Sequence, residues 1–522
     1  MSDTTPRVLN PYITAGTLWS LLAKRAALNP DKMLFCDERD RSFTYAQFTA
    51  WCERVAAGLH GQGIGNLSRV SWQLPTRIET IVFSMALSRL GVVQNPIIHL
   101  YRGHEVGSLL DVTNAEVFAV QGVWKNFDYA AMANELTAKL NHDCRVMVLD
   151  DGLPDGDPST LPPIPTDGDT IRWIYATSGT TSVPKAVLHT DGTLMAGGEG
   201  LARAYNPAPD EIVCIFFPYA HIGGPDQLVI MLEYGLSAIL MEAFLPADAV
   251  ALMNKWGATQ SGGSTAFYQA FVAEQLKSPG AKIVPTLRAL CGGGAPKPPE
   301  VFWQVREVLD VDVYHGFGMT ECPSMASNGS GDSDEQMANT DGAPVVGCEI
   351  EIRDDDRRPL PANTVGEIWV RGPMVCKGYL DPAATAAAFD ETGFFHTGDR
   401  GLLRDDGRIV LTGRSKDMII RKGENISPRE IEDVLITHPK VAAVAVIGIR
   451  DVDRGERVCA VVELAAGADP ITLDEVTEVC TAGGLMRQKH PEQLEIVAAL
   501  PRNPTMKILK TELRKMFDPT QQ

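Results

Sequence analysis

The sequence lacks the patterns that would assign it at once to a metal-binding, disulfide-rich or membrane class. Its ten cysteines form no C-x-x-C pair, and there is neither an H-E-x-x-H motif nor a set of Cys and His residues with zinc-ligand spacing. No apolar run approaches the roughly 18–20 residues that span a bilayer, and the N-terminus lacks the basic-then-apolar order of a signal peptide. We therefore expect reduced and mostly buried thiols, no structural metal, and a cytoplasmic location without a membrane span.

Positive charge is also in short supply. Lys and Arg number 47 against 66 Asp and Glu, which gives a formal net charge of −19. This charge opposes sequence-independent binding to nucleic acid or to an anionic membrane, so a polyanionic ligand would need a local basic site. Nearly all of the negative excess lies before residue 413, and the almost neutral remainder could cover an anionic ligand.

The 522 residues exceed a typical domain of about 100–200 residues, so we expect several packed units. Between residues 69 and 320, short apolar runs alternate with helix-like stretches, which predicts parallel β-sheets covered by helices on both faces. The segment 78–90 is apolar almost all round and is expected to be a helix between layers. After residue 340, strand-like pieces around an Asp406-Gly407 turn predict a small antiparallel or barrel-like subdomain.

A further unit begins near residue 418. Ser427 is a predicted helix cap, and the proline that follows it suits the first position of a helix over 428–437. Two strands, a helix opened by Thr472 with Glu475 three residues later, and a last strand complete an α+β pattern.

The predicted fold is therefore α/β. A large N-terminal part holds two α/β layered sheets and a small β-barrel-like subdomain, and a small α+β C-terminal domain follows on a hinge. We place the N-terminal part at residues 1–412, the hinge at 413–417 and the mobile C-terminal domain at 418–522. The sequence shows no internal repeat and no low-complexity segment.

A loop rich in hydroxyl groups follows the strand TIRWIYA. Residues 177–185 bring several Ser and Thr side chains together with Gly179 and Lys185. Hydroxyls and backbone N–H groups can surround phosphate oxygens, while the lysine supplies a point charge. The loop is not a Walker A motif, because Pro184 stands where that motif requires glycine and Ala186 follows the lysine. A phosphate-binding loop and an ordinary solvated turn both fit this composition.

Seven motifs that follow one another along the chain favour the phosphate-binding loop over the solvated turn. They are TSGTTSVPKA, FPYAHIGG, GGGAP, YHGFGMTE, HTGD, GRSKD and PTMKILK. Together they resemble the adenylate-forming superfamily of acyl-CoA synthetases, peptide-synthetase adenylation domains and luciferases, over about residues 15–516. The resemblance implies that a carboxylate attacks the α-phosphate of ATP, giving acyl-AMP and pyrophosphate, and that the thiol of CoA then displaces AMP. In-line attack needs positioned groups rather than a protein nucleophile, which agrees with the absence of a nucleophile motif.

The resemblance implies ATP, Mg²⁺ and coenzyme A as cofactors and a small-molecule carboxylic acid as partner, without nucleic acid; it is compatible with a homodimer. Glu321 would coordinate Mg²⁺ and Thr320 would hydrogen-bond the α-phosphate. Asp399 would accept hydrogen bonds from the ribose hydroxyls, and Arg414 would reach the ribose or a phosphate. Phe317 would lie beside adenine, and the glycines 292–294 would leave the other face of the ring open to close backbone contact. The implied ATP- and AMP-binding residues are Thr177, Ser178, Gly179, Thr180, Thr181, Lys185, Gly292, Gly293, Gly294, Phe317, Gly318, Thr320, Asp399, Arg414 and Lys507.

Lys507 matches a lysine of the C-terminal domain that reaches the carboxylate and α-phosphate oxygens, where a cation offsets the charge of two approaching anions. The implied catalytic residues are Lys507, Thr320, Glu321 and Lys185. Lys416 occupies the hinge position, and rotation there would withdraw Lys507 and present the loop 423–425 to pantetheine. His221 matches a residue that lines the acyl pocket in relatives. The implied acyl and CoA pocket residues are His221, Ile222, Gly223, Phe267, Gly423 and Glu424.

The sequence departs from the superfamily's pattern at four positions. Ser182 and Ala186 replace common glycines of the phosphate loop, and both are small enough for binding to survive. His315 stands where another polar residue often contacts the edge of adenine. Met506 replaces the glycine that usually precedes the catalytic lysine; if its φ is positive, we expect a strained loop and slower adenylation, and if φ is negative the side chain simply packs.

An apolar pocket lining of small residues favours a hydrophobic acid, such as a fatty acid, an alicyclic acid or a steroid side-chain acid. It contains no fixed Asp of the kind that holds an amino group in amino-acid-activating domains. The alternatives are an acyl-AMP ligase that loads a carrier protein, a luciferase-like oxygenase, and a non-catalytic nucleotide-binding relative.

Overall fold

The computed structural model describes residues 14–177, 185–414, 417–421, 424–451, 454–503 and 506–518. Up to residue 190, helices and strands alternate as the sequence predicts. In chain order these elements are α1 (Leu18–Leu28), β1 (Met33–Asp37), β2 (Ser42–Thr44), α2 (Tyr45–Gly61), β3 (Arg69–Gln73), α3 (Ile78–Leu90), β4 (Val93–Pro96), α4 (Gly103–Thr113), β5 (Val117–Val120), β6 (Val123–Trp124), β7 (Phe127–Asp128), α5 (Tyr129–Thr137), β8 (Arg145–Val148), β9 (Ile171–Thr177) and β10 (Lys185–Thr190).

The alternation continues as far as residue 344. The next elements are α6 (Asp191–Tyr205), β11 (Ile212–Ile215), α7 (Gly223–Tyr234), β12 (Ser237–Leu240), α8 (Pro246–Trp256), β13 (Gln260–Gly263), α9 (Thr265–Leu276), β14 (Ala289–Gly293), α10 (Pro299–Leu309), β15 (Asp312–Met319), β16 (Cys322–Ser327), α11 (Asp334–Asn339) and β17 (Ala343–Pro344).

The remaining elements form the two smaller units. The first unit contains β18 (Glu349–Arg353), β19 (Gly366–Arg371), α12 (Pro382–Ala388), β20 (Phe395–Leu403) and β21 (Ile409–Arg414). The second contains β22 (Ile419–Arg421), β23 (Glu424–Ile426), α13 (Pro428–Leu435), β24 (Val441–Asp451), β25 (Gly455–Leu464), α14 (Leu473–Ala482), β26 (Gln493–Val497) and α15 (Lys510–Phe517).

Two large sheets carry the N-terminal part. The first has the strand order β17-β16-β15-β14-β13-β11-β12-β1-β2, with parallel pairing from β15 to β1 and antiparallel strands at its edges. The second has the order β10-β9-β4-β3-β5-β8 and is parallel except for β10. The predicted pair of layered α/β sheets is therefore confirmed.

Helix α3 is buried on nearly every side, as its composition predicts. All of its residues except Glu79 are buried, and it belongs to the largest apolar cluster, which also contains the fully buried Trp19, Trp72 and Trp173. A helix without a polar face is stable in water only when other layers cover it, so this cluster fixes how the layers pack.

The small subdomain is a four-stranded antiparallel sheet in the order β18-β19-β20-β21. Gly407 adopts a positive φ of 77° in the turn between β20 and β21, where the sequence predicts a hairpin. Among the described strands, β18 and β21 are the two edges of an open sheet and do not pair with each other. The pairing therefore confirms the predicted antiparallel sheet.

The C-terminal unit is the expected α+β structure. Its sheet has the order β23-β22-β25-β24, with β26 added parallel to β25; one apolar cluster contains residues of α13 and α14, and another contains Leu513 of α15. Thr472 and Glu475 form the predicted capping box of α14.

The predicted cap of α13 is wrong in its chemistry. The helix begins at Pro428 as expected but ends at Leu435, before the predicted residue 437, and the hydroxyl of Ser427 makes no cap hydrogen bond. That hydroxyl donates instead to the carbonyl of Thr412 in β21. Ser427 therefore fastens the start of the C-terminal unit to the subdomain before it.

The cysteines match the sequence-based expectation. All ten are free, eight of them are buried, and Cys144 and Cys291 are partly exposed. Burial raises the pKa of most of these thiols, to about 12 for Cys36 and to about 11 for Cys480. Among the described helices, none is long and apolar enough to cross a membrane.

Candidate functional site

A rim of glycines forms where the parallel strands β13, β14 and β15 end. A Cβ atom at Gly292 would lie 2.0 Å from the carbonyl oxygen of Gly263, and one at Gly293 would lie 2.4 Å from that of Gly316. Only glycine allows neighbouring strands to approach this closely. Ligands of open parallel sheets commonly bind beyond the carboxyl ends of the strands, which is where the predicted adenine-facing glycines lie.

The predicted adenine neighbours on β15 are largely engaged within the protein. Phe317 is 7 % exposed and packs into the core of the small antiparallel sheet. His315 is buried, with Nε2 2.9 Å from the carbonyl oxygen of Ala295 and Nδ1 3.4 Å from the hydroxyl of Tyr268. Burial, together with the nearby charge of Lys297, lowers the pKa of His315 to about 3. The imidazole is therefore neutral at pH 7, with each nitrogen near a protein group.

Lys185, Glu321 and Tyr379 meet at the connection between β15 and β16. The hydroxyl of Tyr379 donates to Oε1 of Glu321 at 2.9 Å, and Nζ of Lys185 lies 5.0 Å from the centroid of the tyrosine ring. Glu321 is buried and its pKa is raised by that burial, although the Tyr379 hydrogen bond and the charges of Lys185 and Arg414 oppose the shift. The lysine predicted to bind phosphate and the carboxylate predicted to bind a metal thus both contact one tyrosine.

Asp399 and Arg414 form an ion pair across β20 and β21. Nε of Arg414 lies 2.8 Å from Oδ1 of Asp399, and the carboxylate is buried. The hydroxyl of Thr397 accepts a hydrogen bond from the Asp399 N–H at 3.0 Å and donates to the carbonyl of Ile368 at 2.8 Å. The predicted ribose-binding carboxylate therefore has a fixed backbone and a cationic neighbour.

A buried histidine supports the residue that precedes Glu321. Nε2 of His189 lies 2.7 Å from the carbonyl oxygen of Thr320, and Nδ1 lies 2.9 Å from the hydroxyl of Thr193. Burial lowers the pKa of His189 to about 4, so the ring is neutral at pH 7. Because a carbonyl can only accept, Nε2 carries the single ring proton, and Nδ1 is left as an acceptor beside the Thr193 hydroxyl, which also lies 2.9 Å from the carbonyl oxygen of Thr190. This chain of hydrogen bonds fixes the Thr320 backbone to β10.

His221 lies between the predicted acyl pocket and the C-terminal domain. Its Nδ1 accepts a hydrogen bond from the Gly223 N–H at 3.2 Å, which leaves the proton on Nε2. Burial lowers its pKa to about 4, and the positive charge of Lys507 contributes to the shift. The ammonium group of Lys507 is therefore within electrostatic reach of the acyl pocket.

A tight turn presents Lys507. The N–H of Lys507 donates to Oδ1 of Asn503 at 2.9 Å, and the Asn503 N–H donates back to the Lys507 carbonyl at 2.8 Å. Met506 lies between them with a positive φ of 66° and an exposed side chain. The left-handed conformation disfavours a residue with a Cβ. The positive φ therefore supports the expectation that methionine in place of glycine strains this loop.

The remaining predicted pocket residues have an apolar setting. Phe267 is buried, its ring centroid lies 4.5 Å from that of Phe244, and Phe271 and Phe216 also pack on Phe244. Ile222 is buried as well.

Several predicted residues lie outside the described parts of the chain. These are Ser178, Gly179, Thr180 and Thr181 of the phosphate loop, Lys416 at the hinge position, and Gly423 of the loop expected to face pantetheine. Thr177 and Glu424 are described in their backbones only.

The donor set fits a metal that a nucleotide carries in. Within the described ranges, no group of three or more His, Cys, Asp or Glu side chains could hold a metal ion by itself. Glu321 offers a single carboxylate beside Lys185, and Mg²⁺ commonly takes one or two protein carboxylates while phosphate oxygens and water complete its coordination.

Sequence reasoning missed Tyr379 and His189. Tyr379 follows Gly378 in a segment that pairs with β10, and nothing in its local sequence indicates that it reaches a glutamate 58 residues earlier. His189 follows the phosphate loop by four residues, and its spacing from Lys185 on the same strand places both side chains on one face. That period-two spacing was the available signal.

Comparisons with known proteins agree with this geometry. The family described as "AMP-binding enzyme" matches residues 22–380, and "AMP-binding enzyme C-terminal domain" matches residues 430–507. The chain is 30 % identical to the medium-chain fatty-acid–CoA ligase of Escherichia coli K12, over 93 % of this chain and 88 % of that one. It is 31 % identical to the salicyl-AMP ligase/salicyl-S-ArCP synthetase of Mycobacterium tuberculosis H37Rv, over 96 % and 90 %.

The structure also resembles a solved ligand complex. ATP-bound MatB from Rhodopseudomonas palustris superposes with a TM-score of 0.86 at 26 % identity, over 97 % of this chain and 100 % of that one. The apo form of the same protein gives 0.76 over 98 % and 100 %. With both family domains matched and a relative 30 % identical over most of its length, the chain belongs to the AMP-binding enzyme family of adenylate-forming, ATP-dependent acid–thiol ligases.

Proposed function

We propose that this enzyme is an acyl-CoA ligase for a hydrophobic carboxylic acid. It activates the acid with ATP to acyl-AMP and pyrophosphate, and then transfers the acyl group to CoA with release of AMP. The observation that carries this proposal is the convergence of Lys185, Glu321 and the Asp399–Arg414 pair beside the glycine rim. These groups come from three different sheets, and each suits one part of a nucleotide.

The nucleotide would lie with its adenine along Gly292–Gly294 and its ribose at Asp399. A carboxylate accepts hydrogen bonds from vicinal hydroxyls, and Nε of Arg414 pairs with this one at 2.8 Å. Lys185 would bind the β- and γ-phosphates. Glu321 would hold Mg²⁺, which when bound neutralises phosphate charge and polarises the phosphoryl oxygens.

Lys507 would act in the first half-reaction. The acid's carboxylate and the α-phosphate are both anionic, and a preorganised cation between them lowers the cost of their approach. The effect of Lys507 on the pKa of His221 supports its position near the acyl pocket. The higher TM-score to ATP-bound than to apo MatB supports the same orientation of the two domains.

The second half-reaction would require the C-terminal domain to rotate. We place the domains at 1–412 and 418–522, with the hinge at 413–417 around Lys416. Rotation would remove Lys507 from the pocket and bring the loop 423–425 to pantetheine, so that the CoA thiol could attack the acyl carbonyl and expel AMP.

An apolar lining favours a hydrophobic acid. Phe267 and Phe244 present aromatic surface, and the glycine rim adds no polar side chain. The similarity to a medium-chain fatty-acid–CoA ligase supports a fatty acid or another apolar acid, including an alicyclic or steroid side-chain acid. The similarity to a salicyl-AMP ligase that loads a carrier protein favours the second candidate, an acyl-AMP ligase for an aryl acid.

Mass spectrometry of the products separates the two candidates. The enzyme is incubated with ATP, Mg²⁺ and a panel of fatty, alicyclic, aromatic and steroid acids, each with and without CoA. Acyl-CoA formed from an apolar acid together with AMP supports the proposal. Acyl-AMP that accumulates and ignores CoA supports carrier loading, and no product from any acid contradicts both.

A further inference from the structure

Lys185 and Glu321 carry opposite charges and lie near each other, yet they do not form an ion pair. A lysine and a glutamate this close in a partly buried site gain energy by forming a direct ion pair, and such a pair would occupy both groups. Lys185 and Glu321 sense each other, because the lysine charge lowers the pKa of the carboxyl that burial raises. Both lie in the described part of the chain, where no ion pair joins them: the lysine instead faces the ring of Tyr379, and the carboxylate accepts from its hydroxyl.

Tyr379 occupies the space between them. Its hydroxyl donates to Glu321 at 2.9 Å, and its ring faces the Lys185 ammonium, 5.0 Å from the centroid. A cation within about 6 Å of an aromatic face is attracted to it without a hydrogen bond. The lysine therefore keeps donors for a phosphate, and the carboxylate keeps an oxygen for a metal.

The backbone holds Tyr379 in this place from two sides. Its N–H donates to the hydroxyl of Thr385 at 2.9 Å, and that hydroxyl lies 3.2 Å from the Tyr379 carbonyl oxygen. The residues on either side of Tyr379 pair with β10. The Leu188 N–H donates to the Gly378 carbonyl at 2.9 Å, and the Leu380 N–H donates to the Ala186 carbonyl at 2.9 Å. The backbone of Tyr379 thus lies beside β10, the strand that begins with Lys185, and pairs with Val187.

Resting on the proposed roles of Lys185 and Glu321, we propose that Tyr379 is a positioning residue that keeps this cation and this carboxylate apart and available for MgATP. The ring separates the charges, and the hydroxyl orients the carboxylate. The two functions can be separated, because Tyr379→Phe removes only the hydroxyl, whereas Tyr379→Leu also removes the aromatic face. Tyr129→Phe is the matched control, since it also deletes a tyrosine hydroxyl that donates a hydrogen bond. In that case the acceptor is the backbone carbonyl of His99, at 2.7 Å.

Isothermal titration calorimetry of ATP, with Mg²⁺ and with EDTA, tests the proposal. Tyr379→Phe should weaken binding about tenfold in Mg²⁺ and less than twofold in EDTA, because the lysine retains its ring. Tyr379→Leu should weaken binding in both conditions, and Tyr129→Phe in neither. In steady-state assays, Tyr379→Phe should raise KM for ATP more than it lowers kcat.

Equal affinities of Tyr379→Phe, Tyr379→Leu and the wild type in both conditions would overturn the positioning role. Lys185→Ala and Glu321→Gln are measured in parallel. If those two variants also bind ATP like the wild type, the nucleotide site itself is misassigned, which is a failure of the proposed function and not of Tyr379 alone. Circular dichroism and thermal unfolding identify any variant that does not fold.

Discussion

Arg429 of α13 pairs with Asp341 of the N-terminal part, and both side chains are buried. The guanidinium lies 3.3 Å from Asp341 Oδ1, with the side chains 12 % and 3 % exposed. Burial alone would raise the pKa of Asp341, but the charge of Arg429, the hydrogen bond from the Leu411 N–H and the nearby charge of Lys297 together outweigh it, and the pKa is lowered. A charged contact thus joins the C-terminal domain to the rest of the enzyme.

Removing one partner should loosen that contact. Asp341→Asn leaves Arg429 with only its more distant partner Asp433, at 3.7 Å, and we expect a loss of about 3 kcal/mol in the local stability of α13. Hydrogen exchange of the α13 amides measures this local opening. The control is Glu116→Gln, which breaks an exposed pair with Arg69 and should cost less than about 1 kcal/mol. Equal exchange in the two variants would contradict the importance of the buried pair.

Asp433 should make the same interface sensitive to pH. Burial, with contributions from Glu432 and Asp341 and opposed by Arg429 and Lys297, raises its pKa from 3.8 to about 6. Because the folded form binds this proton more tightly, the stabilisation is complete below pH 4 and is lost as the pH rises through about 6.

Asp433→Asn should therefore remove the difference in thermal stability between pH 5 and pH 7. The side chain is 28 % exposed, so we expect a gain of about 1 kcal/mol at pH 7 and a smaller gain at pH 5. An unchanged pH dependence in this variant would assign the titration to another group.

Met506→Gly should accelerate the first half-reaction. Glycine adopts a φ of 66° without the cost of about 1 kcal/mol that a Cβ incurs, so formation of acyl-AMP should rise up to about fivefold. Reaction of supplied acyl-AMP with CoA should not change. Arg357→Gly is the control, since Arg357 has a φ of 64° in a turn of the small subdomain. An acceleration in both variants would mean that the effect does not come from the Lys507 turn.

Lys507→Ala should separate the two half-reactions. Loss of a preorganised cation should slow acyl-AMP formation by about 100-fold, measured by single-turnover release of pyrophosphate. The reaction of supplied acyl-AMP with CoA should fall much less, and Lys515→Ala, which removes an exposed lysine, should affect neither. Equal losses in both half-reactions would refute the assigned role.

The sequence predicted the parts of the fold that depend on local pattern. Alternating apolar runs indicated the two parallel sheets, and the composition of Ile78–Leu90 indicated a buried helix. The cap of α13 was wrong because the Ser427 hydroxyl accepts no hydrogen bond from an N–H of the first helical turn and instead donates to the carbonyl of Thr412 in β21. Local sequence cannot report which acceptor the tertiary structure brings near.

The Asp399–Arg414 pair shows how finely such contacts depend on register. Counting outward from the pairing of Leu403 with Ile409 would place Gly413 opposite Asp399. A bulge near Arg400 adds Thr412 to the opposite strand and shifts the pairing, so that Arg414 faces the aspartate instead. A bulge of this kind follows from packing, so the motifs predicted both residues but not the contact between them.

Thr412, the extra residue of that bulge, also contacts the C-terminal unit, because its carbonyl accepts a hydrogen bond from the hydroxyl of Ser427. This carbonyl lies just before the proposed hinge and would change partners if the domain rotated.

The burial of the cysteines makes this enzyme convenient to study by thiol chemistry. A thiol reacts with a disulfide dye as its thiolate, and the raised pKa values, such as about 11 for Cys144 and about 12 for Cys376, keep the protein thiols protonated near neutral pH. Coenzyme A carries an exposed thiol that would become a thioester in the proposed reaction. Loss of dye reactivity would therefore report turnover directly, with little colour from the enzyme, and would allow many candidate acids to be screened in parallel.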